Sequence, residues 1–567
     1  MSEVSPRAIP ITIGVIGHRD VPADQQASVV ETIRSVVLAY REACPESGVV
    51  LLTSLAAGAD QLAVEACRGI AGVRILAVLP VPEEQYELDF TTTDAKDAFR
   101  DCLDTAWARI VINTVGEGLG QRHEEVTREA AYQACGRFVS RNSHVLIAVW
   151  DGRPPELPGG TADTVFFRVP GLVALPALHA SDVLMTERPG PTLHIPVSRD
   201  SHGQPSTAVD GGAVPAPVME LTGERKWRPW TLVGDDVVAQ SIEDANRERL
   251  KSQMMSDGSV SPLTDALRDA SDLIAGRNQR TFRQLSASVL ILGAAGLVLV
   301  GLQQNVSSLW IMASVLMTVA VVGVLWVLLG HLDVKRRFQR QRAVAEGARV
   351  QSVWLEASVR SCPSDWYLQH QPEVGWIRSL LRAAWLVDLV APYGDPQRVR
   401  AVTAAEVRRI GDEWISGQLQ YFEGSSSRKG ALARNASKAR VYSALSVGGV
   451  ALAFLALLPE LFRSWSIDVP TAAVLASQSL WEMGLAIAAA STAYAELMAF
   501  REVGRRYVQS IEMFRAGRVH LQSAAKDLDP FRALVSEEAV LTEVGKEALQ
   551  ETSAWIATSY ERNVRPV

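Results

Sequence analysis

Apolar, β-branched runs alternate with amphipathic stretches along the first 150 residues of the chain. The runs ITIGVIG (Ile11–Gly17), VVLLTS (49–54), VRILAVLPV (73–81), RIVINTV (109–115) and HVLIAVWDG (144–152) are near-continuously apolar, as strands buried on both faces require. Between them QQASVVETIRSVVLAYREAC (25–44), QLAVEACRGIA (61–71), a stretch near 94–105 and HEEVTREAAYQACGRFVSRN (123–142) read as helices. Strands separated by helices predict an α/β fold: a doubly wound, Rossmann-like N-terminal domain around a mostly parallel sheet.

Past residue 280 the pattern changes. Four apolar runs stand in two pairs, 285–302 with 309–329 and 441–458 with 480–499. Each matches the ~20 residues needed to cross ~30 Å of hydrocarbon, and the first three hold no charged residue. Arg277, Arg280 and Arg283 precede the first run, and Lys335, Arg336, Arg337, Arg340 and Arg342 follow the second. Arg428, Lys429, Arg434, Lys438 and Arg440 precede the third, and Arg501, Arg505 and Arg506 follow the fourth, whereas the intervening loops QQNVSS and PELFRSWSIDVP carry only Arg463. The positive-inside rule then expects two transmembrane hairpins in an inner or plasma membrane, with both termini cytoplasmic. LWIM at 309–312 and LWEM at 480–483 begin the second and fourth runs, each about 20 residues before a basic cluster, as an internal duplication would give. This match places Glu482 near the outer mouth of the fourth span. The small residues AIAAASTAYA (486–495) suit close helix packing, within or between chains. Long charged helices after each hairpin, with Trp354 and Trp555 as core residues, are expected to form a cytosolic helical bundle.

Composition removes several classes. With 56 basic against 63 acidic residues the formal charge is −7 and no basic stripe marks the N-terminal half, so nucleic acid is not an expected partner. Cys44, Cys67, Cys102, Cys135 and Cys362 are scattered without the Cys/His spacing of a metal site, so reduced thiols and no metal are expected. The opening MSEVSPRAIPITIG lacks the basic and apolar regions of a secretory signal. Residues 187–240, rich in Gly, Pro and Ser apart from LHIPV, read as loop and linker, with a charged helical connector from Ser241. The expected layout is a nucleotide-binding domain over 1–200, a linker over 201–260, a two-span helical unit over 261–375, linker helices over 376–427 and a second two-span unit over 428–567.

In a doubly wound sheet ligands bind beyond the carboxyl ends of the strands, where backbone amides at helix N-termini attract anions. Three turns fall there: GHRD with Gly17, His18 and Arg19; TSLAAGAD with Thr53, Ser54, Gly58 and Asp60; and WDGRPPELPGGTAD with Asp151, Gly159, Gly160 and Thr161. The glycines let backbone approach a phosphate, Thr161 supplies a hydroxyl, and Arg19 suits phosphate or an ion pair with Asp20.

The segments GVIGHRD, TSLAAGADQLAVEA, LAVLPVPEEQYELDF and VLIAVWDGRPPELPGGTADTV resemble the SLOG superfamily of Rossmann-like domains, over about residues 10–200. That superfamily includes the LOG phosphoribohydrolases and the nucleotide-sensing regions of TRPM channels. The paired spans, with DEWISGQLQYF (412–422) before the second pair, resemble the SLATT domain, a two-span module expected to disrupt membranes in bacterial conflict systems. LOG-type hydrolases carry Pro-Gly-Gly-x-Gly-Thr-x-x-Glu with a catalytic Glu; here the run is PGGTADT, with Thr164 three places after Thr161. N-glycosidic hydrolysis needs a carboxylate, so this departure favours binding over cleavage. The resemblance thus implies a homo-oligomeric membrane effector that senses a nucleotide-derived ligand, with the lipid bilayer as its other partner and no further cofactor. A membrane-anchored nucleotide hydrolase using Asp163, Asp60 or Glu65 and a passive scaffold stay open as alternatives.

Overall fold

The run Ile11–Gly17 forms β1, the central strand in a computed structural model. The structure describes residues 8–112, 128–155, 158–168, 190–198, 219–221, 227–229, 236–253, 262–305, 308–331, 333–359, 361–369, 371–390, 402–425, 427–465 and 467–561. Strands β2 (Val49–Thr53), β3 (Val73–Leu79), β4 (Ala108–Val111), β5 (Val145–Trp150) and β6 (Thr192–Pro196) join β1 in the order β4-β3-β2-β1-β5-β6. All these pairings are parallel, with Ile13 of β1 opposite Leu51 of β2 and Val145 of β5. Two three-residue strands, β7 (Met219–Leu221) and β8 (Trp227–Pro229), extend the edge antiparallel. They lie in the stretch read from sequence as loop and linker, and are too short for alternation to reveal them. The ends of the expected strand 109–115 and helix 123–142 fall partly outside the described residues.

Helices alternate with the strands: α1 (Ala23–Ala43), α2 (Ala59–Cys67), α3 (Glu83–Tyr86), α4 (Thr93–Thr105), α5 (Arg128–Asn142) and α6 (Thr161–Arg168). After the sheet come α7 (Val237–Gln253), α8 (Leu263–Asn305), α9 (Leu309–His331), α10 (Val334–Glu356), α11 (Trp376–Val390) and α12 (Ala404–Glu423). The chain closes with α13 (Ala431–Ala456), α14 (Leu458–Ser464), α15 (Thr471–Leu497), α16 (Phe500–Ala524) and α17 (Pro530–Glu561). It divides into two compact units: Met1–Ser271 with Ala343–Ile410 and Ala524–Val567, and Asp272–Arg342 with Gly411–Ser523.

In the first unit α1 and α2 bury Ile33, Val36, Val37 and Val64 completely. Val139 of α5, Val165 of α6, and Trp385 and Leu386 of α11 join Ile16, Leu52, Leu76, Val78 and Leu146 of the strands in one apolar cluster. Helix α11, more than 200 residues downstream, is therefore part of the layer covering the sheet. Its Asp388 accepts from the Leu263 and Thr264 amides at 2.7 Å each and so caps the start of α8. Trp354 of α10 is wholly buried, its indole N–H donating to the Leu541 carbonyl of α17 at 3.1 Å.

The amino-terminal edge of the sheet is closed by α7. Glu243, fully buried, accepts from the amides of Glu46 and Ser47 at 3.0 Å and from the Ser47 hydroxyl at 2.8 Å. Asn246 pairs with the backbone of Ile9 in both directions, at 3.0 and 2.8 Å. Asp236 holds His144 Nε2 at 2.7 Å and the Tyr40 hydroxyl at 2.9 Å.

The second unit holds the apolar helices. Among the described residues four helices, α8, α9, α13 and α15, are long and apolar enough to span a membrane. Helices α13 and α15 meet through glycines: a Cβ on Gly449 would stand 2.6 Å from the Gly484 carbonyl, and one on Gly484 2.6 Å from the Ala453 amide. Backbones this close exclude any larger residue, and the buried Ala453, Ala486 and Ala488 continue the contact. Glu482 of α15 packs into the space that Gly301 of α8 leaves by lacking a side chain.

Candidate functional site

Strand order reverses at β1, whose neighbours β2 and β5 lead to opposite sides of the sheet, so the connections diverge there and open a crevice at the carboxyl ends. A cavity of about 450 Å³ occupies that place, lined from β1 by Gly17, His18, Arg19 and Asp20, from β2 by Ser54 and Asp60, and from β5 by Asp151, Gly159, Gly160 and Thr161. Thr53 and Gly58 are not among its lining residues. Thr53 is buried beneath the turn, where its hydroxyl accepts from the Leu55 amide at 3.3 Å. Gly58 has φ +80°, and a side chain on it would overlap the carbonyls of His18 and Arg19. It is the residue that lets the second turn press against the first, and the Ala59 amide then donates to the His18 carbonyl at 3.0 Å.

Each polar group of the first two turns is held. His18 Nε2 lies 3.1 Å from the Asp151 amide and 3.2 Å from Asp151 Oδ1, so it faces one donor and one acceptor and its protonation decides which it uses. Burial alone would raise the Asp151 carboxyl, but the Arg153 amide, His18 and the Arg153 charge together hold it below the usual carboxylate range. Asp60, at the start of α2, accepts from the Ser54 amide at 3.0 Å and the Ser54 hydroxyl at 2.5 Å, both through Oδ2. Its burial outweighs these bonds and pushes its pKa up.

The third turn opens α6. Gly159 has φ +78° and lies where a Cβ would stand 2.7 Å from the Gln133 amide, so only glycine fits against α5. Asp163 accepts from the Gly159 amide at 3.0 Å and from Gln133 Nε2 at 2.9 Å, which makes it a cap tying the turn to its own helix. Gly160 and Thr161 lie at the cavity with the N-terminus of α6 behind them, an arrangement that attracts a negative group.

The cavity also has an aromatic side that motif reading did not single out. Tyr86 of α3, Tyr132 of α5 and Trp150 of β5 line it, together with Arg153. Arg19 stands 5.6 Å over the Tyr132 ring and 3.6 Å from Asp89, while the Tyr132 hydroxyl donates to Asp89. The run LPVPEEQYELDF did contain a signal: a strand end followed by Pro, acidic residues and two aromatics, Tyr86 and Phe90. Among the described residues no group of three His, Cys, Asp or Glu side chains converges as a metal site requires, and all five cysteines are free and buried. Compared with protein-family models and with curated proteins, the chain matches none.

Proposed function

We propose that this protein is a membrane-embedded effector whose N-terminal α/β domain binds a nucleotide-derived ligand and uses the binding energy to permeabilise the bilayer, in the manner its SLOG-like and SLATT-like motifs imply. The observation that carries the reading is the cavity at the point where strand order reverses, with glycine turns and the α6 N-terminus for a phosphate, and Arg19 and Arg153 at its wall. Asp20, Asp60 and Asp151 give the same cavity acceptors for sugar hydroxyls.

The places of the carboxylates support binding without cleavage. Asp163 is occupied as a helix cap, and Glu65 is exposed and outside the cavity lining. Asp60, in the cavity lining with its carboxyl pushed up by burial, is the group the hydrolase reading would use. Incubating the protein with a nucleotide panel separates the two: a sensor returns its ligand intact, and release of free base or ribose phosphate would establish the enzyme.

Signal transfer has a physical route in this reading. Helix α11 packs on the sheet, its Asp388 caps α8, and α8 runs unbroken for 43 residues into an apolar span. Ligand must favour one arrangement of the spans, and a difference of about 3 kcal/mol would change their ratio roughly 150-fold. Liposomes carrying the parent protein should leak dye when the bound nucleotide is present. A flexible Gly-Ser insertion at Gly276, where nothing lies within 4 Å of the missing side chain, should abolish leakage and leave affinity intact. Leakage that survives the insertion would discard this route.

The positive-inside layout makes the effector a multi-pass inner or plasma membrane protein with cytoplasmic termini. Because every native cysteine is buried, cysteines introduced at Ser308 and Asp468 should report the outside and one at Leu528 the inside. Impermeant maleimide labelling of Leu528→Cys in intact cells would reverse the orientation.

A further inference from the structure

Tyr86 stands out in the cavity wall because its hydroxyl has no hydrogen-bond partner although the residue is only 1 % exposed. The ring is packed among other aromatic rings. It is clamped edge-on by Phe90 and Phe99, with centroids at 5.6 and 5.5 Å, and lies 6.0 Å from the Tyr132 ring. The Trp150 indole N–H in the same lining, 3 % exposed, is likewise unpartnered. Other polar groups of the lining are met from within the protein: Ser54 by Asp60, Tyr132 by Asp89, and Thr164 by the Gly160 carbonyl at 3.2 Å. Unmet buried donors also occur elsewhere, at Trp385 and Trp414 for example, but these two fall together in the lining of one cavity, where a partner can arrive from outside.

The position of Tyr86 limits that partner's chemistry. Asp60 and Arg19 are both electrostatic neighbours of the Tyr86 hydroxyl and act on it in opposite directions, so the place has no one-sided preference for a charged group. The glycine turn Gly159–Thr161, by contrast, lies on the β5 side at a helix N-terminus. Resting on the nucleotide reading above, we propose that Tyr86, seconded by Trp150, is the specificity residue for the uncharged end of the ligand, donating to a sugar oxygen or to an oxygen or nitrogen of the base while the phosphate sits at Gly159–Thr161. The ligand-free protein then carries an unmet hydroxyl at this point, and binding is what satisfies it.

This arrangement gives substitution of Tyr86 opposite effects on stability and on binding. Tyr86→Phe keeps the packing against Phe90 and Phe99 and deletes the unmet oxygen, so the ligand-free protein should melt at the same temperature or higher. Tyr132→Phe, which loses the bond to Asp89, should melt lower. Both variants are compared with the parent as full chains in lipid nanodiscs, by melting and by calorimetric titration with AMP, ribose 5-phosphate and inorganic phosphate. Expected for Tyr86→Phe is an AMP affinity about tenfold weaker with inorganic phosphate unaffected. If the parent binds AMP and Tyr86→Phe binds it equally well, or loses phosphate to the same degree, the assignment of Tyr86 fails and the nucleotide reading stands. A lower melting temperature for ligand-free Tyr86→Phe also overturns the assignment, since the hydroxyl would then be satisfied without ligand. A parent that binds none of the three probes overturns both.

Discussion

At the amino-terminal edge of the sheet the Glu243 carboxylate receives two amides and a hydroxyl, Asn246 answers both backbone groups of Ile9, and Asp236 holds a histidine and a tyrosine. At the carboxyl edge of the same strands lies a cavity of about 450 Å³ whose lining includes Tyr86 and Trp150, each with a buried polar atom that meets no partner. The strands are identical in the two places, and so is the apolar core between them. What differs is how these particular groups are met: Glu243, Asn246 and Asp236 within the chain, and the polar atoms of Tyr86 and Trp150 by nothing in it. Bonds such as those of Glu243, Asn246 and Asp236 fix the strand starts and serve stability. An edge with unmet groups gives up some stability and keeps capacity for a ligand. The parallel sheet makes this division natural, because all its strands begin at one edge and end at the other, and the connections diverge only at the second.

The largest expected effect comes from breaking the closed edge. Glu243→Ala strips partners from the Glu46 amide, the Ser47 amide and the Ser47 hydroxyl, at a fully buried position. Removing one member of such a buried network costs about 3–5 kcal/mol, a large part of ordinary domain stability. Thermal melting should show the loss, and any variant protein that stays folded should bind ligand as the parent does, since the cavity is at the other edge. A stable Glu243→Ala protein with weakened binding would erase the distinction between the edges.

Gly160→Asp strikes the open edge in the opposite manner. It adds a side chain and a negative charge at an exposed position beside the α6 N-terminus, where the phosphate is expected. Affinity for AMP should fall at least about 100-fold, equivalent to about 2.7 kcal/mol, with little change in melting temperature. Titration calorimetry with unchanged affinity would remove this turn from the site.

The contrast between edges also separates what was legible in the sequence from what was not. The strands could be read because burial on both faces leaves them almost wholly apolar, and the site turns because Gly, Ser and Asp interrupt that apolarity at strand ends. Tyr86 and Trp150 could not be recognised as site groups, because a tyrosine or tryptophan in an apolar context has the same appearance whether its polar atom is satisfied or open. Asp163 presented the converse difficulty: nearness in sequence to the glycines offered it as a carboxylate, though at another spacing than the family's Glu, and only the contacts with Gly159 and Gln133 reveal a cap. The part played by α11 in covering the sheet was hidden for a third reason. Its apolar face resembles that of any amphipathic helix, and nothing in periodicity says which surface, more than 200 residues away in sequence, will receive it.

The smallest effect, and the finest test of the comparison, is in pH. Asp236 and Asp60 are both buried aspartates, one at each edge, and their pKa values move in opposite directions. At Asp236 burial is the largest influence and acts upward, but His144, the Ala239 amide and the Tyr40 hydroxyl together outweigh it and hold the carboxyl below its ordinary value. A folded value below the unfolded one contributes stability above the ordinary carboxylate pKa of ~3.9 and loses it as pH falls through the depressed value. Asp60 does the reverse: burial prevails over Ser54 and Thr53, its folded value is raised, and its ionisation becomes a cost to folding as pH rises from ~3.9 through that raised value. Melting temperatures of Asp236→Asn and Asp60→Asn, each measured against the parent from pH 3 to pH 8, should therefore diverge. The Asp236→Asn deficit should be greatest at neutral pH and shrink in acid, where the parent loses the same stabilisation. Asp60→Asn should gain on the parent as pH rises, because asparagine keeps one oxygen for the two Ser54 bonds that Oδ2 receives and has no charge to bury. Parallel curves for the two variants would mean that both edges treat a buried carboxylate alike.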